Sequence, residues 1–117
     1  MTEREYKSPC YIIDEEKLLR DFNMLKDSLV KSWNNYRIGY SFKTNSLPWL
    51  VTFLKERGVL AEVVSDDEYA LARWLGFEDR EIIYNGPVKE RSSFERALLA
   101  GGIVNLDGHR ELNWLEE

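Results

Sequence analysis

The sequence predicts an α/β fold on a parallel sheet and, within that class, a partial (β/α)8 TIM barrel of about four strand-helix units. Three observations carry this expectation. Short runs rich in β-branched and aromatic residues alternate four times with amphipathic helical stretches, at intervals of about 20 to 25 residues and with short connections. Each strand after the first is nearly continuously apolar, as parallel strands covered on both faces are. The turn after the first strand, Thr44-Asn45-Ser46, holds no glycine, whereas an open nucleotide-binding sheet usually marks that turn with a Gly-rich loop. A complete barrel takes about 250 residues, so the 117 residues here read as its first half.

The elements follow in order. Cys10-Tyr11-Ile12-Ile13 after Pro9 reads as a short extended segment, because proline restricts its own φ and the residue before it. Asp14 caps a helix whose first turn is acidic (Glu15, Glu16) and whose apolar positions run from Leu18, Leu19 and Phe22 to Leu29, Val30 and Trp33. Tyr36 to Lys43 alternates with period two: Tyr36, Ile38, Tyr40 and Phe42 on one face, Arg37, Gly39, Ser41 and Lys43 on the other. Ser46 with Pro48 in the first turn opens a second helix carrying Leu50, Val51, Phe53 and Leu54, ended by Gly58. Leu60 to Val64 is a strand. Ser65-Asp66-Asp67-Glu68 has capping-box spacing and starts a helix with Ala70, Leu71, Trp74 and Leu75 expected inward, stopped at Gly76. Glu81 to Tyr84 is the next strand. Asn85-Gly86-Pro87 turns the chain into a helix from Glu90 to Ala100 with Phe94, Ala97 and Leu98 on one face. Ile103 to Leu106 is the fourth strand, and a last helix begins near His109 or Arg110.

Composition narrows the function classes. With 44% hydrophobic and 32% charged residues the chain has ordinary globular composition, and no apolar run is long enough for a membrane span or resembles a signal peptide. The expected compartment is therefore cytoplasmic, with no membrane partner. Sixteen Lys and Arg against 21 Asp and Glu give a net charge of −5, and the basic residues are scattered, which disfavours nucleic acid. A single cysteine, Cys10, and a single histidine, His109, exclude an internal disulfide and provide no zinc-ligand set, so no metal site is expected.

In barrels the chemistry sits at the C-terminal ends of the strands. Here those positions hold Lys43 and Asn45, Glu62 with Ser65 and Glu68, Asn85 with Lys89, and Asn105 with Asp107. Lys43 shares its strand face with the small residues Gly39 and Ser41, so it projects towards the barrel mouth. Half-desolvated there, a lysine could serve as an amine nucleophile for a Schiff base, and the plainer alternative is a solvated strand-end lysine.

The segment Tyr40-Ser41-Phe42-Lys43-Thr44-Asn45 resembles the strand-end lysine motif of the fold-type III pyridoxal-phosphate decarboxylases, which act on diaminopimelate, ornithine, arginine or carboxynorspermidine and are distantly related to alanine racemase. The resemblance runs along the chain. Ser8-Pro9-Cys10-Tyr11-Ile12-Ile13-Asp14 is similar to the family's opening segment, and Glu62-Val63-Val64-Ser65 with Glu68 to its second strand. Ile82-Ile83-Tyr84-Asn85-Gly86-Pro87 with Lys89 resembles the third strand and loop, and Asn105-Leu106-Asp107 with Glu111-Leu112 the fourth.

The resemblance implies an alanine racemase-like barrel, with pyridoxal 5'-phosphate as cofactor and Lys43 as the Schiff-base lysine. Glu62 stands where these enzymes often place an aspartate beside the cofactor. Glu68 would help shape the pocket near the lysine, or serve only as the capping acid for Ser65. Lys89 and Asp107 look structural, and His109 reads as a helix-start surface residue. Residues 1–13 would join a β-domain, and residues 14–117 would form the first half of the barrel. The family's phosphate-binding loop, stacking histidine and acid paired to the pyridine nitrogen are expected in later sequence, so the 117-residue chain alone is expected to be inactive. The whole enzyme would be a homodimeric carboxy-lyase for an amino acid, most plausibly diaminopimelate decarboxylase-like and so in lysine biosynthesis. The alternatives are a non-catalytic half-barrel that pairs with a partner or with itself, or an alanine racemase or pyridoxal-phosphate-carrier relative.

Overall fold

The computed structural model describes residues 6–117, so the first five residues of the 1–13 segment lie outside the described part. The chain divides into two units, Met1–Tyr36 and Arg37–Glu117. In the first, Tyr6–Ile13 forms no regular element and is exposed, and Glu15–Ser32 is a single helix, α1. Its start is capped as expected: the Asp14 carboxylate accepts the Lys17 N–H at 2.9 Å.

The second unit contains β1 (Gly39–Ser41), α2 (Pro48–Lys55), β2 (Leu60–Val63), α3 (Asp66–Trp74), β3 (Ile82–Tyr84), α4 (Arg91–Leu99), β4 (Ile103–Val104) and α5 (His109–Glu116). The four strands are all parallel and lie in sequential order, β1-β2-β3-β4. The barrel reading required this order, and a doubly wound 3-2-1-4 order is excluded.

One face of the sheet is core. Phe42, Ala61, Val63, Ile82 and Tyr84 pack in a single cluster with Val51 of α2, Tyr69 and Ala72 of α3 and Ala97 of α4, so these three helices cover the same face. Ala61, Ala72 and Ala97 are fully buried, and their small side chains let helix and strand backbones approach closely. The rings of the two buried tyrosines pack in a tilted arrangement with centroids 5.1 Å apart, and each finds a polar partner: the Tyr69 hydroxyl donates to Asp79 at 2.5 Å and that of Tyr84 to Asp66 at 2.7 Å.

Every strand is shorter than its apolar run. The run Tyr36–Lys43 yields only Gly39–Ser41, because the Ser41 carbonyl accepts both the Thr44 N–H (3.2 Å) and the Thr44 hydroxyl (2.7 Å), which bends Phe42 to Thr44 into a turn. Glu81 belongs to a 3₁₀ turn, Asp79–Glu81, in which the Glu81 carboxylate accepts the Glu78 N–H. Ser46 does not cap α2. The helix starts at Pro48, and the Asn45 side chain accepts the Leu47 N–H at 3.1 Å.

The inward faces of α3 and α4 also need correction. Tyr69 and Ala72 are the buried residues of α3, with Leu71 and Leu75 partly packed, while Ala70 is exposed and Trp74 is 77% exposed. Hydrophobicity alone phased this helix on its tryptophan, whereas the core selected the tyrosine whose hydroxyl reaches Asp79. In α4 Phe94 and Ala97 are buried and Leu98 is 41% exposed.

Candidate functional site

The face of the sheet opposite the helices carries the candidate residues. Register pairs Ser41 with Glu62 and Glu62 with Ile83, and Ile83 with Ile103, so these four form one row across the strands. Gly39 lies one row towards the N-terminal end, and a Cβ built on it would come within 2.7 Å of Ile83 Cδ1. Ile83 thus fills the space that a side chain at position 39 would take, and the floor under this row is small and apolar.

Lys43 follows two residues after Ser41. It lies in the turn past β1 and is exposed, which matches the solvated strand-end alternative and not the half-desolvated one. Among the described residues no ion pair involves it. Glu62 is half-buried; its Oε1 accepts from Asn85 Nδ2 at 3.1 Å, and Asn85 Oδ1 accepts from Asn105 Nδ2 at 3.1 Å. Glu68 has a local partner: its carboxylate accepts the Val64 N–H at 2.9 Å, while Ser65 Oγ accepts the Glu68 N–H at 3.2 Å. Ser65 caps α3, and the Glu68 carboxylate is engaged with the backbone N–H one residue before that cap, not with the Ser65 N–H of a reciprocal capping box. Lys43 lies in the turn that follows β1, Glu62 is on β2 paired with Ser41, and Glu68 stands in the first turn of the helix beyond β2.

The loops bearing the two asparagines are braced from beneath. Lys89 has a fully buried side chain whose ammonium donates to the Gly86 carbonyl (2.5 Å), to Asp107 (2.8 Å) and to Glu111 (3.0 Å). The second Glu111 oxygen accepts the Asp107 N–H at 2.6 Å, and Arg110 donates to the Lys89 carbonyl. One cation and two carboxylates thereby join the β3-α4 loop to the β4-α5 loop. Gly86 is needed at the bend: its φ is +93°, and a Cβ there would lie 2.5 Å from the Val64 carbonyl oxygen. Sequence reading named Lys89 and Asp107 as structural but missed that Glu111 is buried with them. The signals for Glu111 were its position four residues after Asp107 at the start of a helix and its place in the segment that resembles the family's fourth strand. His109 is the first residue of α5 and is exposed, as read.

Burial by itself would push the Glu111 carboxyl up, but the Asp107 N–H and the Lys89 ammonium outweigh it and hold the group below its ordinary 4.5. Below pH 4.5 the unfolded chain therefore binds more protons at this group than the folded one. Its stabilising contribution is present above pH 4.5 and is lost as the pH falls through the depressed folded value. Urea unfolding midpoints measured along an acid titration should show that decline, and Glu111→Gln should flatten it.

A cleft of about 380 Å³ lies elsewhere, lined by residues of α3 and α4 that include Asp66, Arg73, Ser93 and Arg96. None of Lys43, Glu62 and Glu68 lines it. Asp66 is occupied there by Tyr84, Ser93 and the Glu90 N–H.

Comparison with known proteins places this arrangement. The sequence pattern described as the pyridoxal binding domain of pyridoxal-dependent decarboxylases matches residues 15–117. The chain belongs to this decarboxylase family. It is 27% identical over 113 residues to a diaminopimelate decarboxylase of Methanothermobacter thermautotrophicus, and 30% identical over 115 residues to an L-glutamyl-[BtrI acyl-carrier protein] decarboxylase of Niallia circulans. Each alignment covers 97% of this chain and 26% of the relative. Among solved structures, diaminopimelate decarboxylase from Helicobacter pylori complexed with L-lysine superposes with a TM-score of 0.76 at 25% identity, over 95% of this chain and 28% of that one. The chain thus spans about a quarter of the length of the relatives it matches.

The cofactor of this decarboxylase domain is pyridoxal phosphate. The residues present fit its aldehyde end. An exposed primary amine, Lys43, stands beyond a floor kept low by Gly39 and Ser41, and the same sheet face offers a carboxylate and two amides. Among the described residues no helix is long and apolar enough to cross a membrane.

Proposed function

We propose that the chain is the lysine-bearing part of a pyridoxal-phosphate-dependent amino-acid decarboxylase with diaminopimelate as substrate, and that Lys43 binds the cofactor. The observation that carries this reading is the position of Lys43 in the turn just past β1, two residues after Ser41, which pairs with the Glu62 that Asn85 bonds, in a chain of this family. Several of the matched relatives are diaminopimelate decarboxylases, which supports that substrate. The 30% identity to the Niallia circulans enzyme favours a second reading, in which the decarboxylated group is a glutamyl unit on a carrier protein.

When bound, the cofactor supplies an electron sink for the pair of electrons left as the substrate loses its carboxylate. Lys43 would hold the cofactor's aldehyde end through its primary amine, and its Nζ would be placed to carry a proton at the reacting centre. Glu62 presents a carboxylate to the same face, and Glu68 holds the β2-α3 turn in shape through Val64. The reading includes the homodimeric, cytoplasmic enzyme that the family resemblance implies.

The test is chemical labelling. The whole protein loaded with pyridoxal phosphate is reduced with borohydride, digested and mapped. The label is expected on the peptide containing Lys43. A label on Lys55 or Lys89 instead would refute the assignment. Turnover of diaminopimelate, compared with that of a glutamyl carrier-protein conjugate, separates the two substrates.

A further inference from the structure

We infer that Asn85, oriented by Asn105, is a positioning residue that fixes the Glu62 carboxylate on the sheet face beside the turn that holds Lys43. The inference rests on the reading above, in which that face receives the cofactor.

Register brings the three residues together. The Asn85 N–H donates to the Val63 carbonyl at 2.8 Å and the Asn105 N–H to that of Tyr84 at 3.0 Å, so the ladder continues one residue past β3 and β4. Because Glu62 pairs with Ile83, Asn85 lies two residues further along the same face, diagonal to Glu62. Lys43 stands in the same sequence relation to Ser41, the partner of Glu62 on the other side. Glu62 therefore has Ser41, two residues before the proposed cofactor lysine, on one side and an amide on the other.

The direction of the hydrogen bonds follows from donor and acceptor chemistry. Carboxylate oxygens only accept, so the group that Asn85 turns to Glu62 must be its NH₂. Its carbonyl then faces Asn105, which must donate. Neither amide can flip without losing a bond and bringing two like ends together. The Lys89-Asp107-Glu111 cluster holds the Gly86 carbonyl, one residue past Asn85, and the Asp107 N–H, two residues past Asn105, so the loops that follow the pair are braced. A carboxylate on an open sheet face would otherwise sample several rotamers, and holding a group that must meet a ligand is what such bracing achieves.

The experiment titrates the whole apoprotein with pyridoxal phosphate and reads the dissociation constant and the absorbance maximum of the bound cofactor. Asn85→Ala is expected to weaken binding by roughly fivefold to tenfold and to shift the maximum, as loss of a hydrogen bond to a charged group does. Asn85→Asp keeps the shape but sets a second carboxylate against Glu62, and it should be worse than alanine. Asn105→Ala should change both readouts in the same direction by less, and it carries the test if circular dichroism shows that Asn85→Ala does not fold. In a Glu62→Gln background Asn85→Ala should add little, because the two act as one unit. If Glu62→Gln alters the readouts while Asn85→Ala and Asn105→Ala do not, or if the Asn85→Ala effect persists undiminished beside Glu62→Gln, the positioning role is overturned and the cofactor face stands. If Glu62→Gln itself changes nothing, the place of Glu62 on the cofactor face falls, and this inference with it.

Discussion

Lys43→Ala is expected to abolish covalent attachment of pyridoxal phosphate and to lower turnover of the whole enzyme by a factor on the order of 10³ or more, the scale seen when a covalent catalytic group is removed. Stability should hardly move. Lys43 is exposed in a turn and, among the described residues, forms no ion pair, so its truncation falls among surface substitutions worth within about 0.5 kcal/mol. Loss of label and of turnover at an unchanged unfolding midpoint would therefore locate the defect in chemistry. Lys43→Arg keeps the positive charge, yet a guanidinium does not give up its proton in proteins, so it should fail to rescue. A variant without the lysine that still took up the borohydride label would remove Lys43 from the mechanism.

Lys89→Met should do the reverse, acting first on stability. It keeps the length of the side chain but leaves Glu111, which is almost fully buried, and Asp107 without their cation. Breaking a buried ion pair from one side costs about 3–5 kcal/mol, and the lower end applies here because Asp107 is about one-third exposed and can recover solvent. Urea denaturation should report a loss of about 3 kcal/mol, a large share of a small unit's stability. Adding Glu111→Gln to Lys89→Met removes one orphaned charge and should restore part of the loss. If Lys89→Met unfolds at the parent's midpoint, the cluster is not what joins the two loops.

How much of this was legible in the sequence depends on how local each feature is. The Asp14 cap of α1, the Ser65-Glu68 cap of α3 and the strand-helix order were readable because each depends on residues within a few positions of one another. The alternation of Gly39 and Ser41 against Tyr40 and Phe42 likewise separated the two faces of β1. Strand-end position and family resemblance single out Lys43, Glu62 and Glu68; in the structure Glu62 pairs with Ser41 on β2, and Lys43 lies in the turn two residues past Ser41.

The strand ends, the buried face of α3 and the polar network were decided elsewhere. The Ser41 carbonyl ends β1 by taking two bonds from Thr44, a choice that an apolar run does not encode. Tyr69 displaces Trp74 from the core because Asp79, ten residues on, offers a partner for a hydroxyl. Asn85 finds Glu62 across 23 residues and Lys89 finds Glu111 across 22, and both pairings exist only once β2, β3 and β4 have taken one particular parallel register. The sequence by itself determined the order of elements, the caps of α1 and α3 and the alternation of β1, because these obey short periodicities. The tertiary structure alone decided which polar groups meet, because shifting a strand by one residue would turn every one of those side chains to the opposite face.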